Sequence, residues 1–107
     1  MKIKSRGVSK VGNALRVSHP IKSGMEFDFA DDLEEMMKQL EPKSTLVVDF
    51  TKCHMINSSC LGILLHARKQ VTHFNCDFKL KLKRGSDIEH LLEITKLADA
   101  FEIDYED

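Results

Sequence analysis

The seven residues from Asp77 to Lys83 constrain the fold of this chain most, because polar and apolar side chains alternate strictly along them. A period of two is typical of a β-strand with one buried face and one solvated face. A strand buried on both faces would instead be apolar throughout. The segment therefore predicts a sheet that helices cover on one side only.

Four other segments have strand patterns. Residues 13–18 and 101–105 also alternate, and residues 45–50 are rich in β-branched side chains, which favours a buried central strand. Ile3, between two lysines, predicts a first strand, and Gly12-Asn13 predicts the turn into the second. The apolar residues predicted to share the buried sheet face are Leu15, Val17, Phe78, Leu80, Leu82, Ile103 and Tyr105. The residues predicted for the solvated face are Lys2, Lys4, Arg16, Lys79, Lys81, Lys83, Glu102 and Asp104.

Three segments between the strands repeat apolar residues at intervals of three and four, as amphipathic helices do. They run from Phe27 to Leu40, from Ser59 to His73 and from Ile88 to Ala98. Pro42 ends the first helix, and Gly85-Ser86-Asp87 predicts a turn and an N-cap before the third. The order β-β-α-β-α-β-α-β predicts the α/β class, with a mixed, mostly parallel sheet of four to five strands and helices mainly on one face. A doubly wound nucleotide-binding fold, which buries both faces, is disfavoured.

The length and the net charge of the chain limit the classes of function that it can have. The 107 residues suit a single domain over residues 1–107, and a net charge of -1 provides no overall field to attract nucleic acid or an anionic membrane. No apolar run approaches the roughly 20 residues that a membrane-spanning helix needs. Residues 1–6 lack the apolar stretch of a signal peptide. We therefore expect a cytoplasmic protein without direct membrane insertion.

The segment from Ile56 to Leu61 is the strongest candidate site. It places three good N-cap residues, Asn57, Ser58 and Ser59, before an apolar helix. The first turn of a helix has free backbone N–H groups and a partial positive charge, which a side-chain oxygen or a phosphate can satisfy. One interpretation is that Ser58 or Ser59 only caps the helix. Because a single cap is sufficient, the excess of polar residues also fits a binding site.

The central strand Leu46-Val47-Val48-Asp49-Phe50, followed by Ile56-Asn57-Ser58-Ser59-Cys60-Leu61-Gly62-Ile63-Leu64, resembles the signature of STAS domains. In this sulfate-transporter and anti-sigma-factor-antagonist family, a strand ending in Asp leads through a short loop to Asp-Ser-Ser-Gly-Leu-Gly at the start of a helix. Leu91 to Leu97 and Phe101 to Ile103 are similar to the closing helix and strand of the family. The resemblance covers nearly the whole chain and implies a STAS-like single domain.

For a chain of this length the resemblance implies a bacterial anti-sigma factor antagonist, which is not an enzyme and needs no cofactor or metal. A partner serine kinase of the anti-sigma type would phosphorylate Ser58, and a metal-dependent phosphatase of the PP2C type would restore the serine. The unphosphorylated form would bind the anti-sigma factor and free the sigma factor for transcription. Partner binding is expected at Ile56, Asn57, Ser58, Ser59, Cys60 and Leu61, in a monomer or weak homodimer.

Within the segment from Ile56 to Leu64, two positions depart from the family pattern, since Asn57 stands where the family has Asp and Cys60 where it has the first Gly. They motivate a second hypothesis, a STAS subunit of a membrane transport complex that is not phosphorylated. Cys60 also raises the possibility of a thiol enzyme with a lowered thiol pKa at a helix start, or of a zinc site with Cys53-His54. A placed base, a resolving cysteine and a Cys-x-x-Cys pair are all absent, which favours small packed residues.

Lys79, Lys81, Lys83 and Arg84 form a basic row along one predicted strand. The simpler interpretation is a solvated sheet face whose lysines also deter pairing with other strands. The alternative is a docking surface for an acidic partner. No aromatic side chains alternate with the row, which disfavours nucleic-acid binding.

Overall fold

The computed structural model describes residues 1–107 and contains three α-helices and one five-stranded sheet. The strands are β1 (Val8–Val11), β2 (Ala14–Val17), β3 (Thr45–Asp49), β4 (Asp77–Lys83) and β5 (Glu102–Glu106). The helices are α1 (Glu26–Lys38), α2 (Ser59–His73) and α3 (Asp87–Ile94), followed by a 3-10 turn at Ala98–Ala100. The predicted order of elements and the α/β class are therefore confirmed. None of the helices combines the length and the apolar character that a bilayer crossing requires.

The strands lie side by side in chain order, from β1 to β5. β1 and β2 form an antiparallel hairpin, and every later pair of neighbours is parallel. Each parallel connection contains one helix and moves one strand further in the same direction. Because such crossovers are right-handed, all three helices fall on the same side of the sheet.

The two faces of the sheet differ sharply in burial. Leu15, Val48 and Leu80 lie in register on three neighbouring strands and are each 0% exposed. The next residues along the same strands, Arg16, Asp49 and Lys81, point to the other side, and Arg16 and Lys81 are exposed. We call this other side, formed by Ser9, Arg16, Asp49, Lys79, Lys81, Glu102 and Asp104, the open face. The predicted one-sided sheet is confirmed, although Tyr105 on the edge strand β5 is 37% exposed.

The strand predicted at Ile3 is wrong. The carboxylate of Asp32 on α1, which is 1% exposed, accepts hydrogen bonds from the backbone N–H of Lys4 at 2.7 Å and of Ser5 at 2.9 Å. A side chain that captures backbone donors in this way competes with pairing in a sheet. The N-terminal segment therefore lies against α1, and Lys2 and Lys4 do not belong to the open face. The first strand of the hairpin is Val8–Val11 instead.

The third helix ends earlier than predicted, at Ile94 rather than Ala98. The backbone at Lys96 has a φ of 59°, in the left-handed region, and the N–H of Leu97 then reaches back to the carbonyl of Leu92 at 2.9 Å. This arrangement resembles the left-handed turns that commonly end helices. The apolar spacing continues past Ile94, but the helical conformation of the backbone ends there.

Candidate functional site

The serine segment follows the carboxyl end of β3, where the chain leaves the sheet and enters α2. Backbone hydrogen bonds join it to the loop after β2: the N–H of Ile21 donates to Met55 at 2.9 Å, and that of Asn57 donates to Ile21 at 2.9 Å. Ile21 and Ile56 pair as an isolated parallel bridge and are 3% and 4% exposed. The two loops thus form one connected platform from which both α1 and α2 start.

Asn57 caps α2, and the interpretation that Ser58 or Ser59 is the cap is wrong. The Asn57 Oδ1 atom accepts a hydrogen bond from the N–H of Cys60 at 3.1 Å, whereas Ser58 makes no side-chain capping bond. Asn57 precedes both serines, and its side chain reaches the N–H three residues ahead, which is the usual geometry of a cap. Both serines are exposed. The hydroxyl of Ser58 is therefore not needed to complete the helix.

Glu26, in the first turn of α1, holds Asn57 in place. Its Oε2 atom accepts hydrogen bonds from Asn57 Nδ2 at 2.7 Å and from the N–H of Gly24 at 2.8 Å, and the residue is only 7% exposed. The pKa of the Glu26 carboxyl group is lowered, mainly by its own backbone N–H and then by the Asn57 amide, while burial opposes the shift. An ionised carboxylate therefore joins the N-termini of α1 and α2.

Glu26 was not among the residues predicted from the sequence. A signal for it exists, because Glu26 lies on the same helical stripe as Phe29, Leu33 and Met36, at intervals of three and four residues. An acidic residue on an otherwise apolar helix face is either buried together with hydrogen-bond partners or left exposed to solvent. The partner, Asn57, lies 31 residues away in the chain and cannot be identified from local spacing.

The six predicted partner-binding residues divide by burial. The side chains that lie in the core, each at most 4% exposed, are those of Ile56, Cys60 and Leu61. Asn57 is half-buried, and Ser58 and Ser59 are exposed. The buried three fix the segment against the core. Only the polar three present groups that a partner could touch.

Two exposed apolar side chains accompany the serines. Phe27 in the first turn of α1 is 70% exposed, and Met55 in the loop before α2 is 46% exposed. Glu26 and Asn57 are hydrogen-bonded, and Phe27 and Ser58 directly follow them in the chain. We call Phe27, Met55, Ser58 and Ser59 the serine surface. Large apolar groups exposed among polar ones are typical of protein interaction sites.

A groove between α1 and α2 extends the serine surface. It has a volume of about 390 Å³, and half of its ten lining residues are apolar. Ser59 belongs to it, as do Ala30 and Met37 of α1 and Gly62 of α2. A Cβ atom at Gly62 would meet nothing within 4 Å, so the glycine leaves this part of the groove open.

Cys53 and Cys60 do not have the environment of reactive thiols. Cys60 is 0% exposed, and burial raises its pKa to about 12. Burial also raises the pKa of Cys53, whose sulfur lies 3.2 Å from the carbonyl oxygen of His19. A nucleophilic thiol needs the opposite shift, so the lowered pKa considered for Cys60 is wrong. No group of three or more His, Cys, Asp or Glu residues is arranged to hold a metal ion.

The basic row of β4 and Arg84 is matched in part by acidic residues. Lys79 Nζ lies 3.4 Å from Asp104 and 3.6 Å from Glu102 of β5, and these carboxylates, Asp104 first, raise the pKa of Lys79. Arg84 pairs with Asp107 at 2.9 Å. This neutralisation favours a solvated sheet face over a docking surface for an acidic partner.

Compared with protein-family models and with curated proteins, the chain matches none. Its resemblance to STAS domains therefore rests on the motif around Ser58 and on the order of its strands and helices.

Proposed function

We propose that this chain is a STAS-type regulatory binding module, similar to anti-sigma factor antagonists, that binds an anti-sigma factor with serine kinase activity and is switched by phosphorylation of Ser58. The observation that carries the proposal is the position of Ser58, exposed at the start of a 15-residue helix that Asn57 caps. Since the helix does not use the Ser58 hydroxyl, the group is free to be modified without loss of a cap.

The charge of a phosphate explains how such a switch operates. A phosphoserine carries a charge of about -1.5 to -2 at neutral pH. At the N-terminus of α2 the helix dipole would favour this charge by about 0.3–1 kcal/mol, so the fold persists. A partner that covers Phe27 and Met55 would have to bury the dianion beside them, which disfavours the complex. Phosphorylation would therefore release the partner.

The remaining parts of the proposal follow the family resemblance. The protein acts in the bacterial cytoplasm, and a PP2C-type phosphatase removes the phosphate from Ser58. The protein itself catalyses no reaction. The raised thiol pKa of Cys60 is consistent with a module that does no nucleophilic chemistry at this helix start.

The test compares Ser58→Ala with Ser59→Ala, a matched change at the next exposed serine. Wild-type and both variants are isolated from their native cells under several growth conditions and analysed by intact-protein mass spectrometry. We expect one phosphate on the wild-type and Ser59→Ala proteins and none on Ser58→Ala. Absence of phosphate from Ser58 in the wild-type protein under every condition would contradict the switch.

The second candidate is a STAS subunit of a membrane transport complex that is not phosphorylated. The Glu26 carboxylate favours it, because a negative charge already stands beside Asn57, next to Ser58, and opposes a phosphate there. Affinity purification of the tagged chain distinguishes the two. If transporter components are recovered, and Ser58→Ala does not change their recovery, the chain is a transporter subunit. If a histidine-kinase-like ATPase is recovered, the chain is the phosphorylation-controlled switch.

A further inference from the structure

A continuous series of hydrogen bonds connects the starts of the two helices. The N–H of Gly24 donates to the Glu26 carboxylate at 2.8 Å, Asn57 Nδ2 donates to the same oxygen at 2.7 Å, and Asn57 Oδ1 accepts from the N–H of Cys60 at 3.1 Å. The carboxylate is thus the only charged member of the series. A change in the charge or position of this carboxylate would therefore affect the first turns of both α1 and α2.

The carboxylate of Glu26 has neutral hydrogen-bond donors and no cationic partner. The ion pairs of the protein involve other acidic residues. Its ionised form depends first on its own backbone N–H, then on the Asn57 amide and the N–H of Gly24, at the place where two helices begin. A second negative charge at these helix ends would compete for the same stabilisation, with no lysine or arginine to compensate it.

We infer that Glu26 senses phosphate at Ser58 and transmits the signal to the first turn of α1. A dianion at Ser58 weakens the hydrogen bond between Glu26 and Asn57, because both anions draw on the N-terminus of α2. The loosened Glu26 frees the N–H of Gly24 and repositions Phe27, its neighbour in the chain. This inference rests on the proposed function and makes Glu26 a positioning residue of the switch.

The identity of residue 57 fits this role. An aspartate there would place a second carboxylate against Glu26, where the amide nitrogen now lies 2.7 Å from Oε2. Two ionised carboxylates cannot share that contact, whereas an amide donates to a carboxylate on one side and caps a helix on the other. Asn57 and Glu26 therefore belong together as a pair.

The experiment uses the full-length chain with phosphoserine incorporated at position 58 during translation, so that no kinase is required. NMR of the side-chain carboxyl carbon follows the titration of Glu26, and amide signals report on Gly24, Phe27 and Cys60. We expect the pKa of Glu26 to rise towards its ordinary value and all three amide signals to shift. Ser58→Asp, which adds a single charge, should shift them less and in the same direction.

Two controls separate sensing from a general effect of charge. Phosphoserine at Ser9, on the open face, adds the same charge and should leave the Glu26 titration unchanged. In Glu26→Gln, phosphoserine at position 58 should still shift the Cys60 amide but no longer the amides of Gly24 and Phe27. This variant keeps the size of the side chain and one oxygen that can accept both hydrogen bonds, but it removes the charge.

The inference is overturned if phosphoserine at position 58 leaves the Glu26 pKa and the Gly24 and Phe27 signals unchanged. It is also overturned if those two signals shift equally in Glu26→Gln. Neither result depends on whether Ser58 is phosphorylated in cells. Lack of cellular phosphate would contradict the proposed function, whereas lack of coupling in the purified protein would contradict the role of Glu26.

Discussion

Asn57 uses both ends of its side-chain amide, and this double use determines the geometry of the site. Its nitrogen donates to Glu26 and its oxygen accepts from the N–H of Cys60. An aspartate could cap the helix but could not donate, and an alanine could do neither. The amide at position 57 is therefore matched by an acidic residue on another helix.

Replacement of Asn57 should lower the free energy of unfolding, whereas replacement of Ser58 should leave it almost unchanged. Asn57→Ala removes a helix cap, which typically costs about 1 kcal/mol, with a further loss because Glu26 keeps its charge without the amide. Ser58→Ala removes an exposed hydroxyl without a capping role and should stay within about 0.5 kcal/mol of wild type. Urea denaturation of the two variants measures the difference. Equal losses would mean that Ser58 shares the capping role.

The acid sensitivity of the protein should depend in part on Glu26. Its folded pKa lies below the ordinary value of 4.5, so its contribution to stability is present above that value and is lost as the pH falls through the folded pKa. Glu26→Gln cannot titrate and should lose less stability on acidification than wild type. Urea midpoints across the acidic range test this. Parallel pH profiles for the two proteins would exclude a lowered Glu26 pKa.

Among the elements, those with strong local periodicity were predicted most closely. β4 begins and ends with the alternation that predicts it, and α2 coincides with the helix predicted over roughly Ser59 to His73. Two of the errors have non-local causes. Asp32 removes the N-terminal segment from the sheet, and Glu26 gives Asn57 rather than Ser58 the capping role. A side chain that acts on a segment about 30 residues away leaves no periodic trace in the sequence.

The N-terminal segment should detach when Asp32 is replaced. Asp32→Ala removes two hydrogen bonds between a buried carboxylate and backbone N–H groups, and we expect a loss of about 2–4 kcal/mol. The amides of Lys4 and Ser5 should then exchange with solvent much faster. Asp31→Ala, which removes only the exposed ion pair with Lys4, is the matched control and should cost less than about 1 kcal/mol. Unchanged exchange at Lys4 and Ser5 in Asp32→Ala would contradict this anchoring role.

For the molecule as a whole, the one-sided sheet separates the residues that stabilise the fold from the residues that form its exposed surfaces. The helices and the buried sheet face share a single core cluster of 23 residues. The open face contributes charged side chains, and the serine surface lies where two helices begin. Substitutions on either surface should therefore leave the core intact.

Neighbouring residues on β4 provide the sharpest test of this separation. Leu80 is 0% exposed, whereas Lys81 points to the open face. Leu80→Ala leaves a cavity in the only large core and should cost about 2–5 kcal/mol. Lys81→Ala should change stability by less than about 0.5 kcal/mol. Because one cluster supports every element, circular dichroism and near-ultraviolet absorption should report the same urea midpoint for each variant. A large loss in Lys81→Ala would contradict this separation.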